Sequence, residues 1–179
     1  MTQLSSTWTV PRNPYGPVAP GGAPLAGFGD RILARLIDIA VLIVPTIVAE
    51  LVAAVPFIIM ATTGVDHPSG AAVFATLLGS FALFATLLVA VYYVYEVAMM
   101  HRTGQTLGKR ALRIRVVREV DGGPIDRAAA TRRWLVAYVA PMVAFGFSHL
   151  DVLWLLWDQP YRQCLHDKCA GTVVVKVSA

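Results

Sequence analysis

Charge is scarce in this chain. Only 15% of its 179 residues are Asp, Glu, Lys or Arg, against about 25% in a typical soluble domain. That is too little to cover an ordinary soluble enzyme of this length. Cysteine is rarer still. Cys164 and Cys169 are the only two, and their C-x4-C spacing is no disulfide framework, so the redox compartment stays open. Apolar side chains are what the chain has in abundance. They make up 56% of it, and mean hydropathy is +0.62. This excludes a disordered protein and points to a polytopic membrane protein with no room for a soluble catalytic domain. Net charge is +4, from 15 basic against 11 acidic residues. In a membrane protein such an excess marks cytoplasmic loops and anionic lipid surfaces rather than nucleic acid.

Residues 1–27 are dominated by Pro, Gly and Ser, with Arg12 the one charge. They read as a disordered cytoplasmic tail, and they lack the apolar core of a cleavable signal peptide. Residues 28–179 read as the transmembrane domain. In FGDRILARLID (28–38), apolar and charged positions interleave at helical spacing. From Ile39 to Ala61 the chain is apolar apart from Thr46 and Glu50. Those 23 residues would rise about 35 Å, enough to cross a bilayer core of about 30 Å. Pro45 and Pro56 should bend this span. After a turn at 62–70, residues 71–100 form a second apolar span, with Tyr92, Tyr93 and Tyr95 near one end.

Residues 101–133 change character. Nine Lys and Arg against three acids give a net of +6, which predicts a cytoplasmic loop and an external 62–70 turn. Within it, Leu112, Ile114 and Val116 alternate with Arg113, Arg115 and Val117, predicting a strand with an apolar and a mostly basic face. The far end, GTVVVKVSA, reads as a second short strand with Lys176. The two can pair only on one side of the membrane. Residues 127–157 therefore read as a helical hairpin with its tip near 141–148, entering and leaving at the cytoplasmic face. The expected fold is an all-α membrane protein: two full transmembrane helices, a third hydrophobic helical hairpin and a small cytoplasmic β-pair. Both termini then lie in the cytoplasm, in a multi-pass cell-membrane protein.

Three blocks resemble the RDD family of small bacterial membrane proteins: DRILARLID (30–38), GQTLGKRALRIRVV (104–117) and LDVLWLLWDQPYRQCLHDKCAGTVVV (150–175). Arg31 and Asp38 fill the family's Arg and first Asp, and Asp167 its other Asp. Cys164 and Cys169 depart from the pattern, where Thr and a small aliphatic residue are expected. The Ala-, Val-, Arg- and Gly-rich composition suits an actinobacterial source. The resemblance implies a membrane location and, for some members, exchange of sodium or another monovalent cation for protons.

Three acids fall in the apolar spans: Asp38, Glu50 and Glu96. Ionisable groups in a bilayer are costly and invite a functional reading. Asp38 and Glu96 lie near the cytoplasmic ends of their spans. Arg31 shares a helix face with Asp38, so a structural Arg31–Asp38 pair is expected. Glu96, with no basic residue within a turn on its own helix, is the candidate titrating group and Glu50 the second station of any ion or proton path, on which Asp38 is a further candidate. Lys109, Arg110, Arg113 and Arg115 are candidate contacts to anionic lipid headgroups. GQTLGKR (104–110) is not a Walker A loop, which needs four residues between its glycines and Ser or Thr after Lys. CLHDKC (164–169) matches no common zinc spacing, so no metal or cofactor is expected. Asp167 reads as an anchor, to Arg31 or to backbone N–H groups. No Ser/His/Asp or Cys/His set supports an enzyme. Two function classes remain: a membrane scaffold or accessory subunit, and a monovalent cation/proton antiporter or a component of one. Either would involve a second copy or another membrane protein.

Overall fold

The computed structural model describes residues 18–63 and 67–177. Two long helices dominate. α1 (Phe28–Thr62) starts where the Asp30 carboxylate accepts the Gly27 N–H at 3.0 Å, placing an acid on the positive end of the helix. It continues through Pro45 and Pro56. α2 (Gly70–Thr103) is capped by Ser69, whose hydroxyl accepts the Ala72 N–H, and ends at Gly104 in a left-handed conformation, φ 69°. A π turn at Val94–Ala98 interrupts it.

α1 and α2 pack together. The buried positions of α1, Ala34, Asp38, Leu42, Ala49 and Ala53, form one stripe, and its small residues allow close backbone approach. The outer faces are bare. Val44, Phe74 and Phe81 are each more than two-thirds exposed, and residues Gly70–Tyr93 include no buried side chain. An apolar surface that long is far beyond what a soluble monomer presents to water. Both helices are long and apolar enough to cross a membrane.

The remaining elements gather at one end of the pair. α3 (Leu107–Ala111) leads into β1 (Ile114–Arg118). α4 (residues 127–143) is capped by Asp126 and contains a second π turn at Leu135–Val139. It stops at Ala144, which is extended, and Gly146, whose φ of 82° favours glycine. α5 (Phe147–Leu156) packs back against α4. α6 (Leu165–Cys169) precedes β2 (Thr172–Lys176). β1 and β2 pair antiparallel, with Val116 opposite Val174.

Two expectations change here. Residues 18–27, assigned to a disordered tail, are ordered on the sheet. Lys176 donates its N–H to the Pro24 carbonyl, and Ala26 donates to that of Val174. The rest of that tail, residues 1–17, lies outside the described residues. The added segment also covers β1 at Val117. Ile114 and Val116 face Met100 and Trp134, while Val117, with Val173 and Val175, packs under Ala19 and Leu25. Val117 thus sits on the mostly basic face, as expected, and Arg115 on that face is exposed. β1 begins after Arg113, whose φ of 53° is incompatible with a strand.

Candidate functional site

Asp38 lies ten residues into α1, at the level of α3. The preceding Gln105-Thr106-Leu107-Gly108 stretch folds over it. Gln105 fixes the loop by donating Nε2–H to the Ile114 carbonyl at 2.9 Å. Asp38 Oδ1 accepts the Tyr95 hydroxyl at 2.6 Å and the Gly108 N–H at 2.8 Å. Its Oδ2 accepts the Thr106 hydroxyl at 2.6 Å. A Cβ on Gly108 would overlap the Ala34 carbonyl and come within 2.8 Å of Asp38 Oδ1. The glycine-containing motif is thus a cradle for a carboxylate of its own chain.

The expected Arg31–Asp38 pair does not form. Arg31 turns instead to Asp167, with Nη1 to Oδ2 at 2.8 Å. Seven helical positions place Arg31 and Asp38 on one face, but the element packed opposite each differs: α6 for Arg31, the α3 loop for Asp38. Asp167 is wholly buried and takes both kinds of partner considered for it. Oδ2 also accepts the Cys164 N–H at 3.1 Å at the start of α6. Oδ1 is paired with Arg133 Nη1 and faces His166 Nε2 at 3.5 Å. Arg133 reaches Thr172 Oγ1 at 2.6 Å, so one guanidinium joins α4, α6 and β2. Burial alone would raise the Asp167 carboxyl, but Arg133, His166 and Arg31 outweigh it and hold it well below the usual carboxylate range.

Glu96 is not the isolated titrating group expected from its own helix. Lys109 Nζ stands 3.4 Å from Oε1, Arg35 Nη1 3.9 Å from Oε2, and the Tyr138 hydroxyl donates to Oε2 at 3.0 Å. Arg35 also bonds the Tyr138 hydroxyl and lies over its ring, 4.7 Å from the centroid. Glu96 and Tyr138 each sit on a π turn, and the two turns meet at this hydrogen bond. Such turns redirect side chains and recur at functional sites. Lys109 Nζ also stands 3.5 Å from Thr106 Oγ1, which links the Asp38 cradle to Glu96.

Of the four candidate headgroup contacts, Arg110, Arg113 and Arg115 are exposed, while Lys109 points inward to Glu96. Glu50 is exposed, far from the cluster. Sequence reasoning passed over Arg133, Tyr95, Thr106, Tyr138 and the Asp151–His166 pair. Asp151 Oδ2 meets His166 Nδ1 at 2.6 Å, and Oδ1 accepts the His166 backbone N–H at 2.8 Å. Arg133 had a signal, as the last basic residue before an apolar run, and Asp151 had one as an acid within it.

Cys164, His166 and Asp167 each offer a ligand atom within 4.8 Å of the others, but Asp167 is already committed to two guanidinium groups that would repel a metal ion. Nor is Cys164 set up as a nucleophile. Burial pushes its thiol up to about 12, and both ring nitrogens of His166 face carboxylates. Arg31, Arg35, Glu96, Lys109, Arg133 and Tyr138 border a cavity of about 230 Å³.

The molecule is therefore a helical protein with two long apolar helices and a polar head built around buried carboxylates. It belongs to the RDD family, whose model matches residues 25–171. No curated protein and no solved structure matches the chain.

Proposed function

We propose that this is a multi-pass cell-membrane protein acting as a scaffold or as an accessory, regulatory subunit, without enzymatic activity. α1 and α2 cross the bilayer. α4 and α5 form a third hydrophobic hairpin that enters from the cytoplasmic side, where both termini and the basic 101–133 loop lie. Support for the hairpin comes from its tip, where Met142, Val143 and Phe145 are at least three-quarters exposed, a poor arrangement in water. The positive-inside pattern supports the orientation.

One observation carries the scaffold reading. Between Asp38 and Tyr92, α1 and α2 hold a single charged residue, Glu50, and it is exposed. An ion path needs polar groups in sequence across the bilayer. Thr46 and Ser80 supply only isolated hydroxyls, neither hydrogen-bonded. An outward carboxylate at mid-span instead favours a neighbour in the membrane, either a second copy or another membrane protein, since an acid there costs about 2.5–3.5 kcal/mol on insertion scales.

The test is ion-driven pH change in vesicles carrying the purified protein. Under a sodium or potassium gradient, proton movement should equal that of empty vesicles. Cation-driven proton flux that disappears in Glu96→Gln would replace the scaffold reading with a monovalent cation/proton antiporter, or a component of one. Orientation is tested by single cysteines at Ser69 and Lys176 in a background lacking Cys164 and Cys169. They should label from opposite sides, and labelling from one side would remove the hairpin.

A further inference from the structure

The cavity bordered by α1, α4 and α5 has a composition that a structural role leaves unexplained. Arg31, Arg35, Lys109 and Arg133 line it, against one carboxylate, Glu96. Asp167 and Asp151 stand behind this wall, on Arg31, Arg133 and His166. Unpaired donors lie within the same wall. Among the described residues, three buried side-chain nitrogens have no hydrogen-bond partner: Arg31 Nε, Arg31 Nη2 and Trp134 Nε1. All three belong to side chains that line this cavity. The Arg31 side chain is only 10% exposed, and Trp134 is 6% exposed. Buried donors are almost always satisfied in native proteins. Those three nitrogens are enclosed where they stand, so it is the lining itself, four basic side chains against one carboxylate, that calls for a ligand rich in acceptor oxygens. A cation there would meet four positive side chains.

We propose that this cavity binds a phosphate group. Guanidinium forks match phosphate oxygens in geometry and charge. The rest of the lining is apolar, including Ile32, Ala137, Val152 and Leu155. Its volume of about 230 Å³ is below the roughly 300 Å³ at which pockets for drug-sized ligands begin. Such a space takes a headgroup and the first carbons attached to it. The apolar wall therefore favours a membrane lipid ending in a phosphomonoester as the source, with a soluble phosphate compound as the other. Only the choice of a lipid source rests on the membrane reading proposed above.

The test uses the full chain and reads thermal unfolding together with direct binding. One arm compares nanodiscs of phosphatidylcholine alone with nanodiscs that also contain phosphatidic acid. The other titrates inorganic phosphate into lipid-stripped protein in neutral detergent. Phosphatidic acid should raise Tm saturably by several degrees. A matching saturable rise with inorganic phosphate would assign the site to a soluble phosphate. Arg35→Gln should weaken binding at least tenfold. Ala137→Phe, which fills the cavity without touching a charge, should abolish it and so serves if Arg35→Gln fails to fold. The exposed control Arg118→Gln/Arg162→Gln, which spares the candidate headgroup contacts, should bind like the parent. The proposal is overturned if neither phosphate source binds, if binding survives Ala137→Phe, or if the surface control loses it. Failure of the free-phosphate and lipid arms alongside opposite-side cysteine labelling would remove the site and leave the membrane reading standing.

Discussion

Asp38 and Asp167 are almost equally hidden, at 1% and 0% exposed, yet they are held by opposite means. Asp38 is surrounded by neutral donors: two hydroxyls and a backbone N–H. Asp167 is held chiefly by two guanidinium groups. Their mechanical task is similar. Each carboxylate accepts an N–H at the start of a short helix, from Gly108 in α3 and from Cys164, which precedes α6. Each thereby ties that helix to α1, one directly and the other through Arg31. The difference lies in what remains when the charge is removed. At Asp38 nothing charged is stranded, whereas at Asp167 two buried cations are.

The largest expected effect follows from that. Asp167→Asn leaves Arg31 and Arg133 without their counter-charge, and breaking a buried pair from one side costs about 3–5 kcal/mol. Thermal unfolding in detergent or nanodiscs should show a large drop in Tm or loss of folded protein. An effect no greater than that of Asp38→Asn would erase the contrast. The same carboxylate makes stability depend on pH. Its folded pKa lies below its unfolded value, near 4 for a free Asp. Its contribution is therefore fully present above about pH 4 and is lost as pH falls toward the folded value. Unfolding followed on acidification should show this decline in the parent, and Asp167→Asn should lack this component.

Asp38→Asn should cost less, about 1.5–3 kcal/mol, the range for hydrogen bonds to a charged group. Gly108→Ala probes the same cradle from the other side. Its methyl would strike the Ala34 carbonyl, which is backbone and cannot rotate away, so overpacking of about 1–3 kcal/mol is expected. A neutral Gly108→Ala, again read as Tm, would mean that α3 does not sit tightly on α1.

How much of this was legible before the structure depends on the range of each interaction. The long apolar helices are written in local composition, and so are the two strands, the first as an apolar–basic alternation and the second as a run of valines. Their pairing could be argued from topology alone. The carboxylate partners mostly could not. Arg31 was one of the two anchors open to Asp167, but nothing pointed to Arg133, or to Tyr95 as the partner of Asp38, 57 positions away. Helical periodicity tells which side chains share a face, not which element arrives to cover it. Glu96 looked isolated for the same reason: Lys109, Arg35 and Tyr138 come from three other elements. The π turns under Glu96 and Tyr138 leave no sequence mark, and Val18–Leu25 looked like tail because its order comes from an edge it borrows from β2. Membership of the RDD family was legible, because it rests on ordered blocks rather than contacts. The cavity was not, because its wall is assembled from seven separate stretches of chain.

The smallest expected effect is the most direct check on that distinction. Read on one helix, Arg31 and Asp38 look like partners, and Arg31→Gln/Asp38→Asn would then be less damaging than the sum of the two changes. In the folded protein the seven intervening steps correspond to about 10.5 Å of helical rise. Arg31 is engaged with Asp167, and the donors to Asp38 come from Tyr95, Thr106 and Gly108. The two sites share no hydrogen-bond partner, so their losses should add to within about 0.5 kcal/mol, as for independent positions. Arg31→Gln/Asp167→Asn should behave differently. Removing both members strands fewer unpaired charges than the single changes imply, and the cycle should show a coupling of about 0.5–3 kcal/mol. Both cycles can be run by unfolding in the same detergent. A coupling confined to Arg31 and Asp167 would establish two separate anchors on α1. An equal coupling between Arg31 and Asp38 would mean that the two carboxylates answer to one charged network, and the contrast between neutral and charged burial would collapse.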